Sequence, residues 1–292
     1  MPVHSPQKRS GFPRSIRKGL ISPFEDSFML VGRMKIADIV DFGRYPLESA
    51  SFGAEARSSL AEHGVLMLEE FIRPDSLSMI QAEASAGQDQ AYFCTQSHSV
   101  YLTPTDPLLD PSHPINRQVE SSKGCICDDV ISPESPLRIL YDDPLFRGFI
   151  KRATGEAELH PYADPLSSIN IHYANRGPEL GWHFDNSSFA VTLLIQKPDA
   201  GGLFEYVKDL RDADAGDMNY EGVDALLDGA LTPQVLNMEP GTLVLFRGRN
   251  SVHRVSPNES DKTRMLAVLA YNSEPGVELS ENARVTFYGR LN

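Results

Sequence analysis

Residues 240–246 read Pro240-Gly241-Thr242-Leu243-Val244-Leu245-Phe246, a tight turn followed by a short hydrophobic strand. Five more segments have the same composition: they are short, rich in Val, Ile, Leu, Phe and Thr, and separated by turn residues. They cover residues 169–173, 189–196, 202–207, 234–238 and 264–271. Many short strands joined by brief turns are typical of a β-sandwich or jelly roll.

The residues before this β-rich part carry helical signals. Residues 48–63 predict a helix that stops at Gly64, and a strand is expected over residues 64–72. Pro74 suits the first position of a helix that continues to about Gln90, and a further helix is predicted over residues 144–154. The pattern therefore predicts an α+β fold, with a jelly roll or sandwich braced by N-terminal helices.

Two segments are predicted to be irregular. Prolines recur from Thr103 to Pro136 among Asp, Ser and Gly, which predicts a long loop that could serve as a lid or a binding loop. The acidic segment from Asp209 to Asp228 is predicted to be an inserted loop with a short helix.

Composition narrows the classes of function. The chain has 292 residues, 41% of them hydrophobic, so it can bury a sizeable core. Its formal net charge of −13 disfavours nucleic acid and anionic membranes as partners. The absence of a long apolar run and the presence of only three cysteines favour a cytoplasmic protein. Residues 1–32 are predicted to be a basic, disordered tail or a targeting segment, and residues 33–292 a single domain.

The sequence Trp182-His183-Phe184-Asp185 carries two potential metal ligands. Side chains two residues apart on an extended strand point to the same face, so His183 and Asp185 can reach one metal ion together. His253 follows the strand over residues 242–246 and completes a set of two imidazoles and one carboxylate. That set leaves three octahedral positions open on iron(II), as oxygen chemistry requires.

Arg264 opens a hydrophobic strand eleven residues after His253. A guanidinium in such a strand is costly unless it meets an anion, and its planar fork suits a carboxylate. We therefore predict that Arg264 binds the distal carboxylate of a dicarboxylic co-substrate.

His183, Asp185, His253 and Arg264, in this order, resemble the H-x-D…H…R pattern of the iron(II)/2-oxoglutarate oxygenase superfamily. The resemblance covers about residues 64–289. It implies a double-stranded β-helix (jelly-roll, cupin-like) core, with iron(II), 2-oxoglutarate and dioxygen as cofactor and co-substrates. Many members place Ser or Thr two residues after the arginine, whereas this chain has Leu266 there. A second co-substrate contact is therefore expected from Thr192 or Tyr173.

A closer resemblance rests on residues 121–125, 160–165 and 181–186, which are similar to the branch that contains free-amino-acid halogenases and their hydroxylase relatives. In the halogenases, glycine replaces the carboxylate ligand and leaves a coordination site for chloride. This chain keeps Asp185, so the resemblance implies hydroxylation of a small polar substrate, such as a free amino acid or its derivative. Desaturation and ring closure begin with the same hydrogen abstraction and stay open.

Several residues are candidates for substrate contacts. Asn170 and His172 alternate on the strand before the H-x-D sequence and so share a face. Asn186 adjoins Asp185, while Arg117 and Glu120 in the proline-rich segment could pair with the carboxylate and amine of an amino acid.

Two other functions are compatible with the same three ligands. A zinc hydrolase would need a nearby carboxylate to activate water, and no H-E-x-x-H sequence occurs. A non-catalytic jelly-roll binding protein would carry the triad by coincidence. The sequence leaves the oligomeric state open.

Overall fold

The computed structural model describes residues 34–177 and 180–292. The N-terminal half of this part is mainly helical, and it contains α1 (Ile36–Ile39), α2 (Ala50–His63), β1 (Val65–Leu68), α3 (Pro74–Gly87), β2 (Tyr92–Ser99), β3 (Gln118–Ile126), α4 (Pro136–Asp142) and α5 (Pro144–Thr154). The second half is mainly strand, with β4 (Ile169–Ala174), β5 (Leu180–His183), β6 (Ala190–Gln196), β7 (Phe204–Val207), α6 (Tyr220–Leu227), β8 (Gln234–Leu236), β9 (Leu243–Phe246), β10 (Val252–Val255), β11 (Arg264–Leu269) and α7 (Glu281–Tyr288).

The strands form two antiparallel sheets. The larger sheet has the order β1-β9-β6-β11-β4-β3-β2, and the smaller has the order β5-β10-β7-β8. Residues of both sheets line one cavity, so the sheets are the two walls of a jelly roll. The predicted α+β jelly-roll fold is confirmed.

Local sequence explains where the helices begin and end. The Ser49 hydroxyl accepts a hydrogen bond from the Phe52 amide at 3.2 Å, and α2 ends at Gly64, whose φ of 72° suits glycine. Asp143 caps α5 in the same way, accepting from the Leu145 amide at 2.8 Å. The predicted helices of residues 48–63 and 144–154 are therefore confirmed.

Alternation along β11 separates the core from the cavity. Met265, Ala267 and Leu269 are buried in the main hydrophobic core, which the helices share. Arg264, Leu266 and Val268 line the cavity on the opposite face. The fold thus positions functional side chains on the inner face of a sheet whose outer face is fixed by the core.

Two features of the prediction are wrong. The segment from Thr103 to Pro136 is not a continuous loop, because β3 lies within it and pairs with both β2 and β4. The expected strand of residues 64–72 is shorter, since β1 ends at Leu68 and Glu70 adopts a φ of 52°.

The predicted tail, residues 1–32, lies outside the described residues. Among the described helices, none is both long and apolar enough to cross a membrane.

Candidate metal centre and active site

Pairing of two strands of the smaller sheet brings the three predicted metal ligands together. His183 ends β5 and lies opposite His253 of β10, while Asp185 follows two residues after His183. Asp185 Oδ1 is 3.7 Å from His183 Nε2 and 3.6 Å from His253 Nε2. One ligand atom from each residue lies within 4.8 Å of the others, so a single metal ion can contact all three.

Main-chain carbonyls fix the orientation of both imidazoles. The Nδ1 atoms of His183 and His253 lie 2.8 Å and 3.1 Å from the carbonyl oxygens of Gly181 and Ser251. Because a carbonyl only accepts, each Nδ1 carries a proton, and Nε2, which faces Asp185, is the ring atom available to a metal. Burial lowers the pKa of His183 well below 6.5, and neighbouring His253 lowers it further, so this ring stays neutral and able to bind a metal.

The carboxylate of Asp185 is built into a confined space. Its Oδ2 atom is buried and accepts no hydrogen bond from any described residue. The Asp185 amide donates to the Gly248 carbonyl at 3.0 Å, and a Cβ at Gly248 would lie 1.9 Å from Oδ2. A buried carboxylate oxygen without a donor is costly unless a cation meets it. Two imidazoles and this carboxylate fit iron(II) with open positions.

A cavity of about 330 Å³ extends from this cluster between the two sheets. Its walls are mostly apolar, and they include Leu180, Phe204, Met238, Val244, Phe246, Val255, Leu266 and Val268. A cavity of this kind leaves room for small ligands beside the cluster.

Arg264 lies in the wall of this cavity and is only 3% exposed. Gly202 allows its approach, because a Cβ there would lie 3.1 Å from the Arg264 Cδ. Thr192 also lines the cavity, but it lies opposite Val268, four residues along β11 from Arg264. That offset is about 13 Å along the strand. Thr192 is therefore poorly placed to share one carboxylate with Arg264.

The assignment of Tyr173 to the co-substrate is wrong. Its side chain is fully buried in the main core, and its hydroxyl donates to the Ala84 carbonyl at 2.7 Å. The physical reason is strand alternation, since neighbouring His172 points into the cavity instead.

His172 and Asn170 share a face, as predicted, but only His172 reaches the cavity. The Asn170 amide donates to the Leu166 and Ile169 carbonyls at 2.8 Å, and its oxygen accepts from the Tyr288 hydroxyl at 2.9 Å. Asn170 therefore fastens α7 to the sheet, and its expected role in substrate contact is wrong.

The structure also corrects three other candidate substrate contacts. Asn186 is exposed, and Arg117 pairs at 2.8 Å with both Asp224 of α6 and Asp228, the residue that follows α6. Glu120 points to the outer face of β3. None of the three lines the cavity. Asn186 and Glu120 lie outside it, and Arg117 is held by its two acidic partners in the segment from Asp209 to Asp228.

Sequence reasoning missed four polar residues of the inner wall, namely Gln96 and His98 on β2 and Ser121 and Lys123 on β3. His98 Nε2 lies 2.7 Å from the Ser121 hydroxyl, and the His98 ring lies 6.3 Å from the His183 ring. The Ser121 hydroxyl accepts from the Gly181 amide at 2.9 Å. The alternation of Ser121 and Lys123, within the segment 121–125 that carries the closer resemblance, was a signal for this wall, but the surrounding prolines favoured a loop instead.

Arg211 is a further residue that the sequence did not indicate. It is 8% exposed, stacks 4.1 Å above the Phe184 ring and donates to the Arg249 carbonyl at 2.8 Å. Arg211 thereby links Phe184, which lies between the predicted ligands His183 and Asp185, to the loop that contains Gly248.

We expect Arg211→Met to destabilise the fold by about 1–3 kcal/mol, because the substitution removes a cation–π contact and leaves the Arg249 carbonyl without its donor. Urea unfolding measures this change. Arg176→Met is the matched control, since the Arg176 pair with Asp261 is largely exposed and should contribute little. Equal effects of the two substitutions would contradict the bracing role of Arg211.

Comparison with known proteins agrees with this geometry. The family described as Halogenase D matches residues 49–286. The chain belongs to this family. No curated protein sequence matches the chain.

Solved structures share the fold of this Halogenase D family member. The carbocyclase SnoK from nogalamycin biosynthesis has a TM-score of 0.53 at 14% identity, covering 79% of this chain and 89% of its own. The epimerase SnoN from nogalamycin biosynthesis has a TM-score of 0.51 at 12% identity, covering 76% and 81%. A prolyl hydroxylase from Trichoplax adhaerens has a TM-score of 0.50 at 12% identity, covering 80% and 93%. These likenesses establish the fold.

The family and the cluster of His183, Asp185 and His253 together define the class of enzyme. The chain is a 2-oxoglutarate-dependent non-haem iron oxygenase, which uses iron(II), 2-oxoglutarate and dioxygen.

Proposed function

We propose that His183, Asp185 and His253 hold iron(II), that Arg264 binds the distal carboxylate of 2-oxoglutarate, and that the chain hydroxylates a small molecule. The substrate class we propose is a free amino acid or a derivative, oxidised at an unactivated C–H bond. The observation that carries this proposal is the Asp185 carboxylate, whose Oδ1 lies 3.6–3.7 Å from two Nε2 atoms and whose Oδ2 is buried with no donor among the described residues.

Each side chain has a distinct part in this function. Iron(II), when bound, supplies the oxidising chemistry, and the protein supplies orientation and a dry cavity. The Gly181 and Ser251 carbonyls hold both imidazoles in the tautomer that presents Nε2. Arg264 places a fixed positive fork in an apolar wall, which favours a dicarboxylate over a neutral 2-oxo compound.

The family description names a halogenase, yet we propose oxygen transfer. A halide needs a coordination position that a carboxylate ligand would fill, and Asp185 holds that place here. Desaturation and ring closure share the initial hydrogen abstraction, and they would be seen as products that lack an added oxygen atom.

The proposal is tested with purified protein and iron(II) under anaerobic conditions. Adding 2-oxoglutarate should produce a weak visible charge-transfer band, and air should then yield succinate. Succinate release is compared across amino acids, nucleosides and small acids, with zinc(II) protein as the control. If iron binds but no charge-transfer band appears, the oxygenase function is contradicted. If succinate release is stimulated by nucleosides or small acids but by no amino acid, the proposed substrate class is contradicted.

Arg264→Ala should weaken 2-oxoglutarate binding by about a hundredfold, because a buried bidentate charge pair is lost. The measurement is an anaerobic titration of the charge-transfer band. Arg176→Ala, an exposed arginine, is the control. Unchanged affinity in Arg264→Ala would show that another residue anchors the co-substrate.

A further inference from the structure

A second cation lies beside Arg264 on the inner face of the large sheet. Ala174 of β4 is opposite Arg264 of β11, and extending the antiparallel β3–β4 register by one residue brings Lys123 of β3 to the level of Ala174. The β3–β4 ladder ends at the pair of Gly124 and Tyr173, and Lys123 and Ala174 are the next residues along the two strands. Lys123, Ala174 and Arg264 therefore form one transverse row, and both charged residues line the cavity.

The spacing of this row allows the two charged groups to meet. Two strand separations place the Cα atoms of Lys123 and Arg264 about 10 Å apart. Both side chains are long, and the residue between them is a small alanine. One carboxylate can therefore lie between the ammonium and the guanidinium.

His172 lies beside Lys123 and is influenced by the charge of Arg264 as well. The Lys123 Nζ lies 3.5 Å from the His172 Nε2. Burial lowers the pKa of His172 well below 6.5, and the charges of Lys123 and Arg264 lower it further. A neutral imidazole can accept from the ammonium, so His172 can help to orient Lys123. The Phe287 ring, 5.3 Å from Nζ, contacts Lys123 from another side.

The hydroxyl residues predicted to contact the co-substrate do not lie beside Arg264. Leu266 stands two residues after Arg264, so no hydroxyl follows the arginine on its own strand. Thr192 is offset by four residues along the strand, and Tyr173 faces the core. Unlike Thr192 and Tyr173, Lys123 lies in the same transverse row as Arg264.

We propose that Lys123 and Arg264 together form the binding site for the distal carboxylate of 2-oxoglutarate. This inference rests on the proposed function, because it concerns the co-substrate of the same site. The guanidinium supplies a planar fork, and the ammonium supplies a compact charge from the opposite side. Two cations in one row make the site selective for a 2-oxo acid that carries a second carboxylate.

The test is anaerobic binding to the full-length iron(II) protein, measured by the charge-transfer band and by calorimetry. Lys123→Met should raise the Kd for 2-oxoglutarate about tenfold or more, and Lys123→Arg should keep it within a few-fold of the original value. The Kd for 2-oxovalerate, which lacks the distal carboxylate, should be equal in the original protein and Lys123→Met. Lys151→Met, at an exposed lysine paired with Glu158, is the matched control.

Each outcome separates this inference from others. Equal losses for 2-oxoglutarate and 2-oxovalerate would overturn it, because Lys123 would then only shape the cavity. Unchanged 2-oxoglutarate affinity, with weaker succinate stimulation by amino acids, would also overturn it and assign Lys123 to the substrate carboxylate. If the original protein shows no charge-transfer band, the proposed function itself fails. If Lys123→Met does not fold, Lys123→Gln takes its place. The affinities of Lys123→Gln and Lys123→Arg for 2-oxoglutarate and 2-oxovalerate are then compared.

Discussion

Replacing Asp185 by alanine is expected to lower iron(II) affinity by at least about a hundredfold and to abolish oxygenation. Residues that only orient metal ligands commonly contribute 10- to 100-fold to affinity, and a ligand itself should contribute no less. Asp185 Oδ1 lies 3.6–3.7 Å from both Nε2 atoms, and Oδ2 has no described donor, so both oxygens are available to a cation. Anaerobic iron titration and succinate release measure the two effects.

The control for this substitution is Asp214→Asn. Asp214 is a largely exposed carboxylate that pairs with Arg249 at 2.8 Å, and it does not line the cavity. Its replacement should leave iron affinity within a few-fold of the original. The Asp185→Ala protein should also fold, because the substitution removes a partly exposed carboxylate rather than a packing group. Full iron affinity in Asp185→Ala would exclude the carboxylate as a ligand.

Replacing Gly248 by alanine is expected to weaken iron(II) binding about tenfold or more while the fold is retained. The added methyl group would lie 1.9 Å from Asp185 Oδ2. The backbone cannot separate freely, since the Asp185 amide donates to the Gly248 carbonyl at 3.0 Å. The carboxylate must therefore rotate away from the position it shares with the two imidazoles.

Gly148→Ala is the matched control for this effect. Gly148 lies within α5, where a Cβ would approach only the flexible end of Arg152 at 3.3 Å, and alanine favours a helix. The thermal unfolding temperature of Gly248→Ala should be nearly unchanged, whereas its iron(II) affinity should be lower. Normal iron affinity in Gly248→Ala would show that the Asp185 carboxylate can bind iron from another rotamer.

The sequence predicted those features that depend on local signals. The helix at residues 144–154 was correct because Asp143 and Gly155 provide its caps. The three ligands were brought together as predicted, because β5 and β10 pair at His183 and His253. The class of enzyme followed from this set and from Arg264.

Features that depend on strand register were less predictable. Strand alternation alone predicts that Tyr173 faces the core, because it lies on the face opposite Asn170 and His172. Lys123 was not identifiable, because its relation to Arg264 exists only through Ala174 on the strand between them. Arg117 was predicted to bind a substrate carboxylate. It binds two protein carboxylates instead, and these lie more than 100 residues away in the sequence.

The most direct test of the central claim is an anaerobic crystal structure with iron(II), 2-oxoglutarate and excess bromide, whose anomalous scattering marks any bound halide. We predict iron bound by Nε2 of His183, Nε2 of His253 and a carboxylate oxygen of Asp185, with no bromide on the metal. Bromide on iron with the Asp185 carboxylate turned away would contradict the claim and would indicate a halogenase.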